Sequence, residues 1–338
     1  MDKQVLKRNW AYSLSLLPAA IVLVGNLLGS YWVWSNAVFS LGVLAILEQW
    51  LGEDVNDDHS EFRDTLPKIL LWSHVLLTIA MLVSLAYLII VIDPYCWVLM
   101  GAILSTGVAC GSGAVVVAHE LIHKADWASR TAGRFLLLLV GNPYFSAHHI
   151  LVHHVHVGTH EDCVTARKGE SLYRYVPRSI IGQFRQARRA EIYIQKKKTG
   201  NAPLVLSHLF QNITTCLLLM GFLWAWEPRI AISWLGVSAL AAILLEYVNY
   251  IEHYGLVRSQ KDRVGPLHSW NSNRRISRFL LFDLSRHADH HIHASKPYHC
   301  LDSGLSSPQL PGGYVQMLYL AIRPSKWFQA IDVLLPKE

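Results

Sequence analysis

Charge is the first thing this sequence has little of. Asp, Glu, Lys and Arg make up 16% of its 338 residues against a 52% hydrophobic share, where soluble domains carry roughly 25% charge. That balance disfavours a soluble globule. Between Arg8 and Glu48 no charged residue occurs over 39 positions, room for two membrane-spanning helices at about 20 residues each. Further charge-free windows cover 69–92, 94–118 and 199–226. Cysteine is scarce too: Cys96, Cys110, Cys163, Cys216 and Cys300 are odd in number and scattered, which excludes a disulfide scaffold and reads as reduced core or membrane thiols. No Gly-rich dinucleotide fingerprint and no Cys cluster motif is present, so the chain carries neither a flavin nor an iron–sulfur centre of its own. It has no fixed-period repeat and no low-complexity tract, and reads as a single domain over residues 1–338. No basic stripe with interleaved aromatics points to nucleic acid.

The apolar runs predict an all-α polytopic membrane protein with about six transmembrane helices, near 11–29, 32–50, 68–92, 95–118, 203–225 and 229–251. The basic start (Lys3, Lys7, Arg8) leads into a run too long, and too poor in a cleavage site, for a signal peptide, and reads as a retained anchor. Gly29-Ser30, Asp93-Pro94 and Glu227-Pro228-Arg229 form tight turns on one side of the membrane. Arg229 is the sole basic residue on that side; the rest of the 30 Lys and Arg fall on the other, which the positive-inside rule makes cytoplasmic. The expected location is a bacterial inner membrane, with both termini and the 119–202 and 255–338 regions in the cytoplasm. The run Arg185, Arg188, Arg189 and Lys196-Lys197-Lys198 then reads as a topology and anionic-lipid feature ahead of a dock for a small acidic electron carrier, which the same field would attract. Trp10, Trp32, Trp34, Trp50, Trp97 and Trp226 near span ends fit interfacial belts. Residues 135–147 are uncharged but too few to cross a hydrocarbon core of roughly 30 Å, so a re-entrant or interfacial segment is expected there.

Histidine, by contrast, is abundant: of 18 His, nine form a pattern that core packing does not generate. His119 and His123, four apart at the end of the fourth span, project from one helix face close enough to share a metal. His149, His153 and His154 form H-x3-H-H; the first two share a face, and His154 sits about 100° round, facing a different ligand position. His287, His290 and His291 put i, i+3 and i+4 on one side of a turn, and His253 ends the sixth span. Nine imidazoles exceed the needs of one ion, and two ions of four or five His each fit the count. Nitrogen-rich sites with few thiolates suit redox iron as well as zinc. Isolated His such as His59, His74, His208 and His268 read as ordinary interfacial residues. His119-Glu120-x-x-His123 also matches the zinc metalloprotease motif, with Glu120 as general base, but a protease leaves most of the other clustered His unexplained.

These strings resemble the integral-membrane alkane monooxygenases (AlkB-type hydroxylases) of the fatty-acid desaturase and hydroxylase superfamily, from about residue 10 to the C-terminus. The resemblance rests on His119-Glu120-Leu121-Ile122-His123-Lys124, on Arg286-His287-Ala288-Asp289-His290-His291 and, most specifically, on Asn249-Tyr250-Ile251-Glu252-His253-Tyr254-Gly255-Leu256. It implies two non-haem iron ions held by the nine His, a cytoplasmic active site, O2 as co-substrate, and electrons from rubredoxin or a ferredoxin with its reductase. The implied reaction is hydroxylation of a terminal methyl group, with an n-alkane favoured. Alkylaromatics, terpenes and fatty acids are the alternatives, with hydroxylation, desaturation or decarboxylation as outcomes. The second box departs from the family's Glu-His-x-x-Gly-His-His: His148 replaces the Glu and Val152 the Gly. His293 matches a further family position.

Oxidising an unactivated C–H bond needs an oxidant that no side chain provides, so a metal carries the chemistry while the protein orients the substrate and excludes water. A hydrophobic substrate entering from the bilayer would travel an apolar channel; Leu121 and Ile122, between the first two ligands, are the expected lining. Metal-bound imidazoles donate their outer N–H to a carboxylate or carbonyl, and Asn249, Glu252, Asp289 and Glu246 are the candidates for that supporting role, while Asp162 and Glu161 after the second box stay open between such support and the surface.

Overall fold

The computed structural model describes residues 10–57 and 65–336; Lys3, Lys7, Arg8 and His59 lie outside the described residues. In chain order the helices are α1 (Tyr12–Leu28), α2 (Ser30–Leu51), α3 (Thr65–Ile92), α4 (Cys96–Ile122), α5 (Trp127–Leu139), α6 (residues 145–156), α7 (Leu172–Thr199), α8 (His208–Trp226) and α9 (Pro228–His253). Four short helices follow: α10 (Arg275–Leu280), α11 (His287–Ile292), α12 (Tyr314–Ala321) and α13 (Pro324–Ile331). Among the described residues there are isolated bridges but no strand, in line with an all-α chain.

Five helices, α2, α3, α4, α8 and α9, are long and apolar enough to cross a bilayer. The sixth expected span, α1, is apolar but shorter, and it opens with a 3-10 segment, Tyr12–Leu16, whose steeper rise per residue stretches it. The stretch 135–147 forms no span: 135–139 close the amphipathic helix α5, Gly141 turns the chain at a φ of +67°, and α6 begins at Phe145.

The three tight turns meet at one end of the bundle. Gly29 reverses the chain between α1 and α2 at a φ of +66°, and a Cβ there would lie 3.3 Å from Ile92 at the end of α3. Asp93, next in the chain, pairs with Arg229, which also binds Glu227 at 3.1 Å. At the opposite end, α4 and α9 finish at His123 and His253. The two helices approach closely because Gly107 and Gly111 face Leu240 and Leu244, where an added Cβ would come within 2.7 and 2.8 Å, the small-residue contact typical of membrane helices.

The C-terminal region closes the histidine end. Glu48, buried in α2, accepts from Ser277 Oγ and from the Gln316 N–H at the start of α12, so a carboxylate inside an apolar helix caps another helix. Asp283 is wholly buried, bound by Arg278 Nε at 2.8 Å and by the Tyr12 hydroxyl. It ties the start of α1 to the segment that delivers α11.

Candidate metal centre

The nine clustered histidines converge from four elements into two sets. His119 and His123 of α4, His149 and His154 of α6 and His290 of α11 form one; His153 of α6, His253 of α9 and His287 and His291 of α11 form the other. Within each set one nitrogen from every ring lies within 4.8 Å of all the others. The sets abut, with the His154 and His291 ring centroids 4.5 Å apart.

The second box sorts its ligands differently from the α-helical expectation: His149 and His154 act together, and His153 goes to the other set. The cause is local. Residues His149–His153 form a π-helix, whose i→i+5 bonding widens the turn and brings residue 154 beside 149. The third box splits likewise, with His287 and His291 one α-turn apart in the four-residue set and His290 facing the other.

The donor set fits a metal ion. His123 Nε2 lies 3.1 Å from His149 Nε2, which lies 3.0 Å from His154 Nε2; His287 Nε2 lies 3.2 Å from His253 Nε2 and 2.9 Å from His291 Nε2. Two nitrogens each about 2.1 Å from one ion, at near-right angles, are separated by roughly 3 Å. His119 Nε2, His153 Nε2 and His290 Nε2 are buried and make no hydrogen bond within the chain, an orphaning that is costly for polar atoms unless something else satisfies them. Burial, helped by Lys124, lowers His123 to about 4. Burial and the neighbouring imidazoles hold His149, His154, His287, His290 and His291 well below the usual value. These rings are thus neutral, the form that ligates a metal.

The supporting groups are only partly those expected. Asp162 Oδ2 accepts from His153 Nδ1 at 2.9 Å, and the His268 carbonyl accepts from His253 Nδ1 at 3.4 Å. Both contacts direct Nε2 inward. Burial alone would raise the Asp162 carboxyl, but the His153 ring and the Val164 N–H outweigh it and hold it well below the carboxylate range. Glu252 stands at an inward-facing nitrogen instead of behind a ring: its Oε2 is 3.2 Å from His287 Nε2, and Oε1 accepts from the Tyr314 hydroxyl at 2.6 Å. Asp289 is no ring partner to a clustered His, because His293 Nδ1, Lys296 Nζ and the Asp302 N–H occupy it at 2.8, 2.7 and 2.9 Å. His293 accordingly stays at the surface. Asn249 and Glu246 also make no hydrogen bond to the nine rings among the described residues. Glu120 is held by Lys124 and by the Tyr298 N–H at 3.2 Å, a structural brace that removes the protease reading's free base. His148, Asp162 and Cys163 make a third close group, but Gln186 Oε1 engages His148 Nε2 at 2.9 Å and Asp162 is committed to His153.

An apolar cavity of about 90 Å3 lies among α2, α4, α9 and the α10–α12 region, with Leu41, Leu44, Leu244 and Leu318 in its walls. A second pocket, of about 20 Å3, adjoins it and touches His119, His149 and His287. Gly111, Val116, Val248 and Leu284 line both. Leu121 and Ile122 line neither. On α4 they point away from the ligand face, and Ile122 packs on Gly133 of α5, its Cγ2 only 2.9 Å from where a Cβ there would sit. Val116, nearly one turn before His119, takes the place expected for them.

Helices long enough to span a bilayer, an imidazole-only pair of metal sites at one end and an apolar cavity leading to it define an integral-membrane metalloprotein that handles hydrophobic compounds. A model of the fatty acid desaturase family matches residues 94–319. The chain is similar to alkane 1-monooxygenases 1 and 2 of Pseudomonas aeruginosa, at 35% and 37% identity, over 90% and 89% of this chain and 83% of each relative. It is also similar to the xylene/toluene monooxygenase hydroxylase component of Pseudomonas putida, at 27% identity over 95% of this chain and 87% of that protein. The chain belongs to the fatty acid desaturase family, in its alkane monooxygenase branch.

Proposed function

We propose that this protein is an O2-dependent, non-haem di-iron monooxygenase that hydroxylates the terminal methyl group of a hydrophobic substrate, an n-alkane in preference to an alkylaromatic, terpene or fatty acid. The observation that carries the reading is the five-plus-four partition of nine imidazoles, seven of them buried, beside an apolar cavity. One iron in each set would supply the oxidising power, placing one oxygen atom of O2 in a C–H bond and releasing the other as water with two electrons and two protons.

The chain's own groups do the rest. Leu41, Leu44, Leu244 and their neighbours bind the hydrocarbon and keep water out, since such a pocket offers it nothing but apolar contact. Val116, Val248 and Leu284 stand between the cavity and the pocket at His119 and His287, where they would guide the chain end to the metals. Asp162 and the His268 carbonyl hold the Nδ1 protons of His153 and His253 and so fix which nitrogen faces inward. Tyr314 holds Glu252 at the wall of the same pocket. Rubredoxin or a ferredoxin with its reductase delivers electrons on the cytoplasmic face of a bacterial inner membrane, because among the described residues the turn end holds Arg229 and the histidine end the other basic side chains.

The test is direct. Protein reconstituted in lipid vesicles with ferredoxin or rubredoxin, its reductase and n-dodecane under 18O2 should yield 1-dodecanol carrying one labelled oxygen. Unlabelled alcohol, or no oxygen uptake with any alkane, alkylaromatic or fatty acid, overturns the assignment.

A further inference from the structure

We propose that Glu246 is a proton-relay carboxyl that supplies the metal end from the solvent-open cleft beside α7; the inference rests on the monooxygenase reading above. Glu246 lies inside a membrane-spanning helix and is wholly buried. Among the described residues no basic side chain pairs with it. Its Oε1 accepts from Gln183 Nε2 at 2.5 Å, and Ser179 and Asn249 stand beside the same group. Oε2 has no hydrogen-bond partner, and neither have Gln183 Oε1 and Asn249 Nδ2. A carboxyl held at membrane depth without a basic partner is expensive and marks a proton or ion route by default.

Its position fits such a route. Glu246, Asn249 and His253 are spaced i, i+3 and i+7, one stripe of α9 leading to the ligand set, with about 10 Å of helix between its ends. Asn249 sits midway and lines the small pocket beside His119, His149 and His287. On the other side, Gln183 is in the buried stripe of α7 formed by Leu172, Tyr175, Ser179, Gln183, Ala187 and Glu191. Gly182, next to it in the chain, and Gln186, three residues on, line with Cys163 a cleft of about 610 Å3 open to solvent. Glu246 therefore lies between bulk water and the reaction pocket.

The reaction R–H + O2 + 2e− + 2H+ → R–OH + H2O needs two protons at a site walled by apolar residues, with the two electrons coming from the external one-electron carrier. In each transfer the O–H bond of the Glu246 carboxyl breaks toward a water held by Asn249. It re-forms with a proton taken up from the cleft past Gln183. Glu246 acts through Asn249 and touches no reacting atom. The simpler alternative is that the Glu246–Gln183 bond merely joins α7 to α9; a glutamine side chain in its place would serve that purpose equally, so the two roles separate on one substitution.

Glu246→Gln in vesicles, assayed with n-dodecane beside the wild type, should keep its metal content and its KM for alkane while kcat falls by about a hundredfold, the low end for a positioned proton-transfer group. The solvent isotope effect in D2O should rise, and Glu246→Asp should restore part of the rate. Should Glu246→Gln fail to fold, Gln183→Met, which keeps the carboxyl but removes its donor, should lower kcat and raise the isotope effect in the same sense. Wild-type kcat and isotope effect in the variant that folds overturn the relay, as does a loss of rate that only tracks loss of metal. A wild type that consumes no oxygen with any hydrocarbon overturns the monooxygenase reading, and the relay with it.

Discussion

Asp162 is the carboxylate on which the ligand geometry of the four-histidine set most visibly depends, and replacing it with an asparagine changes one oxygen into an NH2 at nearly constant volume. In the native chain Oδ2 accepts from His153 Nδ1 at 2.9 Å and from the Thr165 hydroxyl at 2.8 Å, while Oδ1 accepts from the Val164 N–H at 3.0 Å. An amide cannot accept on both sides. Whichever way the substituted amide turns, its NH2 faces either the His153 ring N–H or the Val164 N–H, so one donor is left unmatched in a buried site. Losing a hydrogen bond to a charged acceptor costs about 1.5–3 kcal/mol, a factor of roughly ten to a hundred or slightly more in an equilibrium constant, which agrees with the effect usual for groups that orient metal-bound imidazoles. Asp162→Asn should therefore weaken metal binding in the His153, His253, His287, His291 set by about tenfold to a hundredfold and leave the five-histidine set nearly intact. Titrating the protein with a chelator while following bound metal should show two phases, one of them displaced in the variant. Asp289→Asn is the control, because Asp289 contacts none of the nine rings, and its curve should overlay the wild type. Equal displacement of both phases, or none, would refute the reasoning.

Other expectations follow from the same geometry. Val116→Phe should restrict turnover to shorter alkanes at unchanged metal content, read by product analysis over a series of chain lengths. Ile122→Trp should leave the product profile alone but destabilise the fold by about 1–3 kcal/mol through overpacking against Gly133, read as a lower melting temperature in detergent. Asp283→Asn removes one of the two carboxylates on the buried Arg278, which keeps Asp54 at 3.0 Å, and should cost about 1.5–3 kcal/mol. Burial alone would raise the Asp283 carboxyl, but Arg278 and Arg286 hold it below its ordinary value. Its contribution should therefore be complete at neutral pH and lost as pH falls below about 4, a loss that the Asp283→Asn protein should not show in melts taken across that range. For orientation, a cysteine replacing Lys197 should react with an impermeant reagent only after the membrane is opened, and one replacing Glu227 from outside, in a background without native thiols; the reverse pattern would invert the protein.

The spans and the ligands were legible because both leave strong local traces. Charge-free windows mark the helices, and imidazoles at helical spacings ending in one region mark the site. What escaped depends on phase and on distance along the chain. The spacing of His149, His153 and His154 reads correctly only if the turn is α-helical, and the π-helical stretch there reverses the partner assignment. Leu121 and Ile122 lie between two ligands in sequence, but the face that carries His119 and His123 is not the face that carries them. Asp289 sits within a ligand box and is captured by Lys296 and His293. Asp162, outside any box, reaches His153 by a turn that only tertiary packing sets. Glu48 gave no signal beyond being a carboxylate in an apolar run, because its partners Ser277 and Gln316 lie more than two hundred residues away.

The most direct test of the central claim is the metal content of the purified, membrane-reconstituted protein and of two single variants in the third box. The account predicts two irons per chain in the wild type. His290→Ala should weaken the ion of the five-histidine set and His291→Ala that of the four-histidine set, each variant keeping close to one tightly bound iron. One metal per chain in the wild type, zinc in place of iron, or loss of both ions together in either variant would contradict it.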